Sequence, residues 1–462
     1  MHAAYAAFAD AQYQECFKIS DAMEARFKQY SVRKNTELED INRRLAVAKA
    51  VPKASQDESL VSMLSHAQRD GQNYLQEDRQ LVDTALETTT LMLKTALAQF
   101  GKALTVSNAH DDLVFRFCAL WLATSNDEAI QTTLASLLAD IPTHKFVFLA
   151  HQLSARLTSP ATTPFAMNIA KVVTRLGCEH PFHALFPVQA LRGVPPPAPA
   201  KPRSRRSSTA PAQPQIETAS QLIRAAAADE IFAKVRKAAP HLIPRLDDFE
   251  YACRAYQEWA ALSLKDDDTY SIGSGNNRRV KPGKQQIKPT LLIRSGVVNL
   301  SIPVSTFDLP IDPSGEYPPK SFPAIVKYDS TFTAAGGIHT PKICLCEGDD
   351  GKKYRQLVRL PSFAAQGSHS PRASQFKGED DIRQDAVMEQ AFSLINTLFA
   401  RDDRARRRKL AIRTYKVIPL QAKTGVIEFV ANTQTLHETL LPSYKKCVSL
   451  LHFLRLANSP AS

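Results

Sequence analysis

Several features are missing from this sequence of 462 residues, and each absence removes a class of protein. No uncharged apolar run approaches the roughly 18 residues that a transmembrane helix needs, so no membrane partner is expected. The first residues, MHAAYAAFADAQYQ, lack the charged leader and apolar core of a secretory signal. The seven cysteines are odd in number and have no zinc-finger spacing, which favours free thiols in a reducing compartment. We therefore expect a soluble intracellular protein.

The formal net charge of +12 is unusual, whereas the apolar and charged fractions, 44% and 23%, are ordinary. Such an excess of positive charge favours polyanionic partners. Much of it lies in two clusters, Lys201–Arg206 and Arg404–Lys409, which are more typical of solvated surface or linker than of a nucleic-acid groove. The first cluster also has the composition of a nuclear import signal.

Residues 1–192 are predicted to be almost wholly helical, because helix breakers are sparse and apolar residues recur at helical spacing. This pattern fits stacked helical hairpins, that is, an α-helical solenoid. Residues 193–215 are dense in proline and serine, so a disordered linker is expected there. Residues 216–285 are predicted to form a helical connector. Taken alone, this part of the chain indicates a scaffold and no chemistry.

The rest of the chain changes to strand patterns. Residues 289–305 alternate in polarity, and residues 341–358 form two strand-like runs around a turn at Asp350-Gly351. A helix with an acidic first turn follows, from Asp380 to about Ala400. Further strands are expected at 409–420 and 425–430, so the fold class is a helical domain followed by an α+β domain, with one helix on a small antiparallel sheet. The apolar stripe of that helix comprises Val387, Ala391, Leu394, Ile395 and Leu398.

Lys377 lies between the predicted hairpin and this helix. A lysine at a strand end, with carboxylates on the next helix, is the arrangement with which kinases hold nucleotide phosphates. The segment Ala334–Lys342 contains a Gly-Gly pair and precedes the hairpin, so it is a candidate loop over the phosphates. From the residues alone, a capped helix beside a surface lysine is an equally good interpretation.

The strings FKGEDDIRQDAVMEQAFSLINTLF and RTYKVIPLQAKTGVIEFV closely resemble the phosphatidylinositol 3-kinase-related protein kinases, and among them the ATM-type checkpoint kinases. The earlier strings HDDLVFRFCALWL, IPTHKFVFLAHQLSARL and EHPFHALF are similar to the end of that family's FAT domain. The resemblance runs in the family's order from near residue 1 to about Lys446. It implies the C-terminal part of a FAT domain in residues 1–192, and a kinase N-lobe with its hinge in residues 286–446.

The resemblance also implies roles for single residues. Lys377 would contact an ATP phosphate, Asp380 would position that lysine, and Asp385 would be the polar residue at the back of the pocket. Phe429 stands where the family usually has tryptophan, so its stacking face is smaller. The residues implied to bind ATP are Lys377, Asp380 and Asp385; Gly336, Gly337 and Pro341 in the covering loop; Tyr415 and Ile418 in the inner pocket; and Glu428, Phe429 and Val430 in the hinge.

For the full-length protein, the resemblance implies a serine/threonine kinase that uses ATP with Mg²⁺ and phosphorylates Ser or Thr followed by Gln. Its implied role is the DNA damage checkpoint and telomere maintenance, with a location in the nucleus and at chromosomes. Its implied partners are protein substrates, a sensor complex for DNA double-strand breaks and a second copy of itself. A lipid kinase of the same superfamily is a further interpretation, against which the FAT-like half argues.

The chain itself contains no aspartate after Asp403, so a catalytic loop and a metal-binding aspartate are not expected in it. Without a C-lobe we expect the chain alone to be inactive, with no metal ligands and no catalytic residues. A non-catalytic helical scaffold with a vestigial nucleotide-binding lobe is therefore the alternative function.

Two segments depart from the family pattern. Residues 358–375, rich in Ser, Pro, Gly and Ala, separate the strand string RQL from Lys377, which it would otherwise join almost directly. Residues 447–462 form a tail that resembles nothing in the family. Retained introns would explain both segments, since removal of the first leaves YRQLFKGEDDIRQD. A true surface insertion is the competing interpretation, because loop entropy tolerates it at modest cost.

Overall fold

The computed structural model describes the chain in several stretches. Its described residues divide into two compact units, one formed mainly by residues 1–184 and the other mainly by residues 185–229, 236–310 and 317 onward. The described stretches are 1–192, 213–261, 269–271, 278–280, 284–286, 298–329, 331–334, 341–359, 381–421, 424–433, 439–440 and 444.

The first unit begins with two long helices, α1 (His2–Ala50) and α2 (Glu58–Val106). Each has 49 residues and is therefore about 73 Å long. They run antiparallel, because Thr89 of α2 donates to the Ser20 hydroxyl of α1 at 3.1 Å, whereas Gly71, earlier in α2, lies against Leu38, later in α1. The Asp57 side chain caps the second helix by accepting from the Leu60 amide. The expectation of helical hairpins is confirmed here.

The first unit continues as a bundle of shorter helices. A buried hydrogen-bond network ties three of them together, because the Trp121 indole donates to Gln131 at 2.9 Å and the Asn168 amide donates to the Gln131 carbonyl at 2.7 Å. The helical prediction for residues 1–192 is therefore confirmed. The helices are α3 (Leu113–Ala123), α4 (Glu128–Asp140), a 3₁₀ helix (Thr143–Leu149), α5 (Ala150–Ser154), α6 (Pro164–Glu179) and α7 (Pro181–Gln189).

Two further helices follow, α8 (Gln213–Ala238) and α9 (Ile243–Ala261), separated by a 3₁₀ turn at Pro240–Leu242. The structure corrects two predicted boundaries. Helix α8 starts inside the segment predicted as linker, since Pro214 is compatible with a first helical turn; residues 193–212 lie outside the described residues. Within the described part of the connector predicted as helical to residue 285, helix α9 ends at Ala261, and the residues described after it form short strands.

The second unit contains an antiparallel sheet with the strand order β3-β5-β6-β7-β9-β8, in which β4 also pairs with β6. The predicted combination of a helical region with a small antiparallel sheet is therefore confirmed. The described strands are β1 (Thr269–Ser271), β2 (Arg278–Val280), β3 (Lys284–Gln286), β4 (Ile325–Tyr328), β5 (Thr331–Ala334), β6 (Lys342–Gly348), β7 (Lys353–Arg359), β8 (Val417–Pro419) and β9 (Gly425–Glu428).

The hairpin predicted around Asp350-Gly351 is the β6–β7 pair. Gly351 has φ of +73°, the left-handed conformation that glycine adopts without strain. Strand β6 alternates between buried and half-buried residues, and its buried face includes Cys344 and Cys346. Burial raises the pKa of both thiols to about 12, so they stay protonated near neutral pH.

Helix α10 (Ile382–Arg401) begins two residues later than predicted, with the Asp381 side chain as its cap. Its predicted apolar stripe is not a buried face, since Val387 and Leu398 are exposed. Among the described residues, the helix meets the sheet through its first turns, where Ile382 and Ala386 pack on Val417 of β8 and on Ile427 of β9. A short helix, α11 (Asp403–Arg407), places most of the basic cluster 404–409 in solvent.

The strand predicted at 409–420 is only three residues long, because side chains of α10 satisfy the backbone of the preceding segment. Asn396 accepts from the Ile412 amide at 2.7 Å and donates to the Ile412 carbonyl at 2.8 Å. Glu389 accepts from the Tyr415 amide at 3.1 Å. The strand predicted at 289–305 is likewise irregular in its described part, where Leu300 donates to the Ile325 carbonyl at 2.8 Å and only an isolated bridge forms.

A buried polar group joins α9 to the sheet. The hydroxyls of Tyr256 and Tyr328 lie 2.6 Å apart, and Tyr256 donates to the Gln356 side chain of β7 at 2.8 Å. Lys342, which is 6% exposed, donates to the Ala260 carbonyl at 2.8 Å. A cation at a helix C-terminus also interacts favourably with the helix dipole.

We predict that Gly425→Ala destabilises the second unit by about 1–3 kcal/mol. A Cβ at this position would lie 2.5 Å from Ile382 Cδ1 and 2.6 Å from the Ile418 carbonyl oxygen. Urea denaturation measures the loss. In an Ile382→Val background, which removes Cδ1, the same substitution should cost less; an equal cost in both backgrounds would contradict this packing.

We predict that Lys342 makes stability rise with pH. Burial lowers its pKa from 10.5 to about 8, so between these values the unfolded chain binds the extra proton and stability increases as pH rises. The wild-type protein should gain about 2 kcal/mol between pH 8 and 10 relative to Lys342→Met. Urea midpoints of both proteins across this range test it, and parallel curves would contradict it.

Candidate functional site

The end of β9 leads into the segment Glu428–Val430. Glu428 is held through its amide and its carboxylate, because the amide donates to the Lys416 carbonyl at 2.8 Å and the carboxylate accepts from the Lys416 amide at 3.0 Å. The Phe429 amide donates to the Arg355 carbonyl at 3.1 Å. The guanidinium carbon of Arg355 lies 3.9 Å from the centre of the Phe429 ring, a cation–π contact. These contacts fix the direction in which the chain leaves the sheet.

The Val430 amide differs from the amides of the two preceding residues, since the hydrogen bonds of the described residues give it no acceptor. The Val430 carbonyl accepts from the Thr433 hydroxyl at 3.1 Å. Phe429 and Val430 are both half-buried. An amide beside an aromatic ring provides a donor and a stacking face, which are the two elements needed to hold a planar heterocycle.

The two residues expected to line an inner pocket are separated in the structure. Ile418 is buried in β8, where it pairs with Val426. Tyr415 is exposed and lies beside α10, where burial of part of its ring, then Glu389 and then Asp385, raise the pKa of its hydroxyl. Strand alternation puts Ile418 on the face opposite Val417, and hence opposite α10. The structure therefore does not bring these two side chains together.

The acidic residue expected at the back of the pocket, Asp385, lies in the first turn of α10. Its carboxylate is 3.7 Å from the guanidinium of Arg359, the last residue of β7. Pro341 lies immediately before β6 and is half-buried. The expected phosphate-contacting and loop residues, Lys377, Asp380, Gly336 and Gly337, lie outside the described residues.

The loop that contains Gly336 and Gly337 connects β5 to β6, which are adjacent antiparallel strands. Next to them in the sheet come β7 and then β9. The predicted loop, the strand before the predicted lysine and the predicted hinge are thus successive neighbours in one sheet. This order is the main structural support for the set of residues predicted from the resemblance.

Arg359 and Glu389 belong to this site but were not singled out from the sequence. Arg359 contacts Asp385 of α10, and Glu389 lies on α10 and accepts from the Tyr415 amide. Asp385 and Tyr415 both belong to the predicted set. Strand alternation continued past Leu357 would have placed Arg359 on the face of Leu357. Arg359 was not predicted to be in the strand, because the composition of residues 358–375 predicts a loop that begins at residue 358.

In the described part of the chain, no group of three or more His, Cys, Asp or Glu side chains is arranged to hold a metal ion. None of the described helices is long and apolar enough to span a membrane.

Comparisons with known proteins define the class of the chain. A sequence profile described as "Phosphatidylinositol 3- and 4-kinase" matches residues 372–458. This match begins within the anomalous segment 358–375 and extends into the tail 447–462, and the origin of both segments stays a hypothesis. The chain therefore contains part of a kinase domain of this superfamily.

Curated relatives identify the branch of the superfamily. The chain is 29% identical to the serine/threonine-protein kinase tel1 of Neurospora crassa over 96% of its own length and 13% of that protein. It is 32% identical to the serine-protein kinase ATM of Sus scrofa over 75% of its length and 10% of that protein. The chain thus spans only about a tenth of the length of the curated relatives it matches.

Solved structures agree. The fold matches "FAT and kinase domain of CtTel1" with a TM-score of 0.70 and 25% identity, over 96% of this chain and 26% of that one. It matches "Complete CtTel1 dimer with C2 symmetry" with the same TM-score and identity, over 96% of this chain and 14% of that one. The predicted family, the ATM-type phosphatidylinositol 3-kinase-related kinases, is confirmed, and the fold matches the FAT and kinase N-lobe region of the Tel1 structures.

We predict a coupling of about 0.5–1 kcal/mol between Arg355 and Phe429, because the guanidinium stacks on the ring and both are only partly shielded from solvent. A double-mutant cycle with Arg355→Met and Phe429→Leu, measured by urea denaturation, isolates this interaction. Additive single-mutant effects would show that the contact stabilises nothing.

Proposed function

We propose that this chain is the nucleotide-binding N-lobe, with the preceding helical region, of a serine/threonine protein kinase. The observation that supports this most directly is the amide of the half-buried residue Val430 next to the Phe429 ring, just after the end of β9. Similarity to a serine/threonine kinase over 96% of the chain supports the same assignment. The proposal concerns nucleotide binding by the chain and phosphoryl transfer by the full-length protein.

In this proposal the adenine ring of ATP stacks on Phe429 and accepts a hydrogen bond from the Val430 amide. Arg355 holds the Phe429 ring in place from its other side. Pro341 and the preceding glycines, Gly336 and Gly337, form the loop over the phosphates, and Lys377 with Asp380 keeps its predicted role at the phosphates. ATP supplies the phosphoryl group, and Mg²⁺ neutralises its charge when bound.

The finer assignments belong to the full-length protein. We propose that it phosphorylates Ser or Thr followed by Gln, acts in the DNA damage checkpoint and telomere maintenance in the nucleus, and associates with a sensor of DNA double-strand breaks. We further propose that it forms a homodimer, which the C2-symmetric dimer of the similar CtTel1 structure supports.

A second candidate function is a helical scaffold whose nucleotide-binding lobe does not catalyse. The paired helices α1 and α2 favour it, because two antiparallel helices of 49 residues each form an extended surface that nucleotide binding does not need. The long hairpin of α1 and α2 would then be the functional surface. Binding of ATP separates the two candidates, since a scaffold does not need it.

We predict that Phe429→Ala weakens binding of a fluorescent ATP analogue to this chain about tenfold, because the stacking face is lost. Fluorescence titration in the presence of Mg²⁺ measures the dissociation constant. Phe148→Ala is the matched control, since Phe148 is 49% exposed and lies in the first unit. Absence of binding by the wild-type chain at millimolar nucleotide would favour the scaffold.

A further inference from the structure

The basic cluster 404–409 follows α10 and spans most of α11 and the two residues after it. Five of its six residues are Arg or Lys, and all five are exposed. The sixth, Ala405, is buried at 6% exposure. Residues 401–409 carry six cations and two carboxylates, a net charge of +4. The cluster is therefore a patch of concentrated positive charge in solvent.

The backbone is held at both ends of this patch. Before it, the Asp402 carboxylate caps α11 by accepting from the Ala405 amide at 2.8 Å. After it, the Leu410 amide donates to the Ala405 carbonyl at 3.0 Å. Asn396 of α10 then bonds both backbone groups of Ile412. The positive charges are thus presented on an ordered surface.

The protein itself neutralises few of these cations. Arg406 pairs with the Asp403 carboxylate, and the Arg407 side chain donates to the Asp403 carbonyl at 3.2 Å. Three other cationic side chains have no hydrogen-bond or ion-pair partner among the described residues, namely those of Arg404, Arg408 and Lys409. The sequence alone favours an ordinary solvated surface for this cluster, and the structure adds that half of its charge is unpaired.

Helix α1 presents exposed cations in a different way. Arg33 pairs with Glu37 four residues later, and Arg43 and Arg44 both pair with Asp40. Pairs at these helical spacings stabilise a helix slightly and cancel its charge locally. Exposed arginines elsewhere in the chain can therefore be accounted for by the helix that carries them.

In α11 the charges oppose the helix. Arg404 has Arg407 and Arg408 three and four residues later, where helical side chains are neighbours and like charges are unfavourable. The helix dipole favours a cation near the C-terminus, which accounts for one such side chain but not for a run of them. Local arrangements that oppose stability are typical of functional sites. The excess charge therefore indicates a negatively charged partner.

The chemistry of the patch indicates which polyanion it suits. Residues 401–409 contain no aromatic and no large apolar side chain. Protein partners are commonly anchored by such side chains, and single-stranded nucleic acids stack their bases on aromatic rings. The phosphate backbone of duplex DNA needs neither, because contacts from Arg and Lys supply most of its sequence-independent affinity. Arg also matches phosphate geometry, since a guanidinium can donate two parallel hydrogen bonds.

We propose that the basic cluster 404–409 binds the phosphate backbone of duplex DNA without reading its sequence. Arg404, Arg408 and Lys409 contact the phosphates, and the pair between Arg406 and Asp403 supports α11. The cluster contains none of the residues proposed to bind ATP, so this inference does not depend on nucleotide binding.

The test measures binding of a short labelled DNA duplex to the complete chain by fluorescence anisotropy, over a series of salt concentrations. The triple variant Arg404→Gln, Arg408→Gln and Lys409→Gln should bind roughly tenfold or more weakly than the wild type. The slope of log K against log salt should decrease in magnitude by about 2.7, since each phosphate contact contributes roughly 0.9. The thermal denaturation midpoint should equal or exceed that of the wild type, because like charges are removed from exposed positions.

The matched control removes the same charge from α1 with Arg33→Gln, Arg43→Gln and Arg44→Gln, and should leave the affinity and the slope nearly unchanged. The other basic cluster, residues 201–206, is a second source of positive charge. Both triple variants are therefore repeated in a chain whose cations at 201–206 are replaced by glutamine. The loss caused by the 404–409 variant should persist in that chain.

Equal losses in the two triple variants would show that binding reflects net charge alone, and would overturn the inference. Absence of salt-dependent binding by the wild-type chain would also overturn it. Tighter binding of polyglutamate than of the duplex through the same residues would assign the patch to an acidic protein instead. Tighter binding of a single strand of the same length would overturn the choice of duplex DNA. Each of these outcomes leaves the proposed nucleotide-binding function standing.

Discussion

The architecture of the second unit depends on a small group of buried hydrogen bonds between α9 and the sheet. Tyr256 of α9 bonds both Tyr328 of β4 and Gln356 of β7, and Gln356 in turn donates to the Thr306 hydroxyl at 3.2 Å. Polar groups buried in this way cost free energy unless each finds its partner, so only one register of β7 satisfies them. A slip by one residue would put Gln356 on the opposite face. The positions of Arg355 and Arg359 on the α10 face follow from this constraint.

Aromatic packing reinforces the same register. The Trp259 and Tyr328 rings meet edge to face with centroids 4.8 Å apart, and Tyr256 contacts both rings. Burial raises the pKa of Tyr256 and Tyr328 well above 10, so both hydroxyls remain donors over the whole physiological range. The polar group and the rings thus form one rigid contact between the helix and the sheet.

Much of this fold is predictable where a local signal has a single physical cause. The β6–β7 hairpin follows from Asp350-Gly351, because the turn needs a positive φ that glycine supplies. The start of α10 follows from its acidic cap. The segment before β8 was wrongly predicted as strand, since its alternation and β-branched residues are local, whereas the Asn396 and Glu389 side chains that satisfy its backbone come from a helix.

The positions of the candidate site residues were also predicted better than their contacts. The order of loop, strand and hinge across the sheet agrees with the resemblance, and so does the place of Asp385 at the start of α10. The contact partners of the expected residues did not follow from the sequence. Tyr415 meets Glu389 instead of joining Ile418, and Asp385 meets Arg359, because these contacts depend on where α10 crosses the sheet.

The segment before β8 depends on α10 for its backbone hydrogen bonds. The amides of Ile412 and Tyr415 donate to side chains of α10. The next residue after Tyr415, Lys416, accepts from the Glu428 amide through its carbonyl. Loss of α10 would therefore leave the amides of Ile412 and Tyr415 without their acceptors, which makes the local stability of the segment depend on the helix. One stretch of backbone, from Ile412 to Lys416, is thus bonded to α10 at one end and to the last residue of β9 at the other.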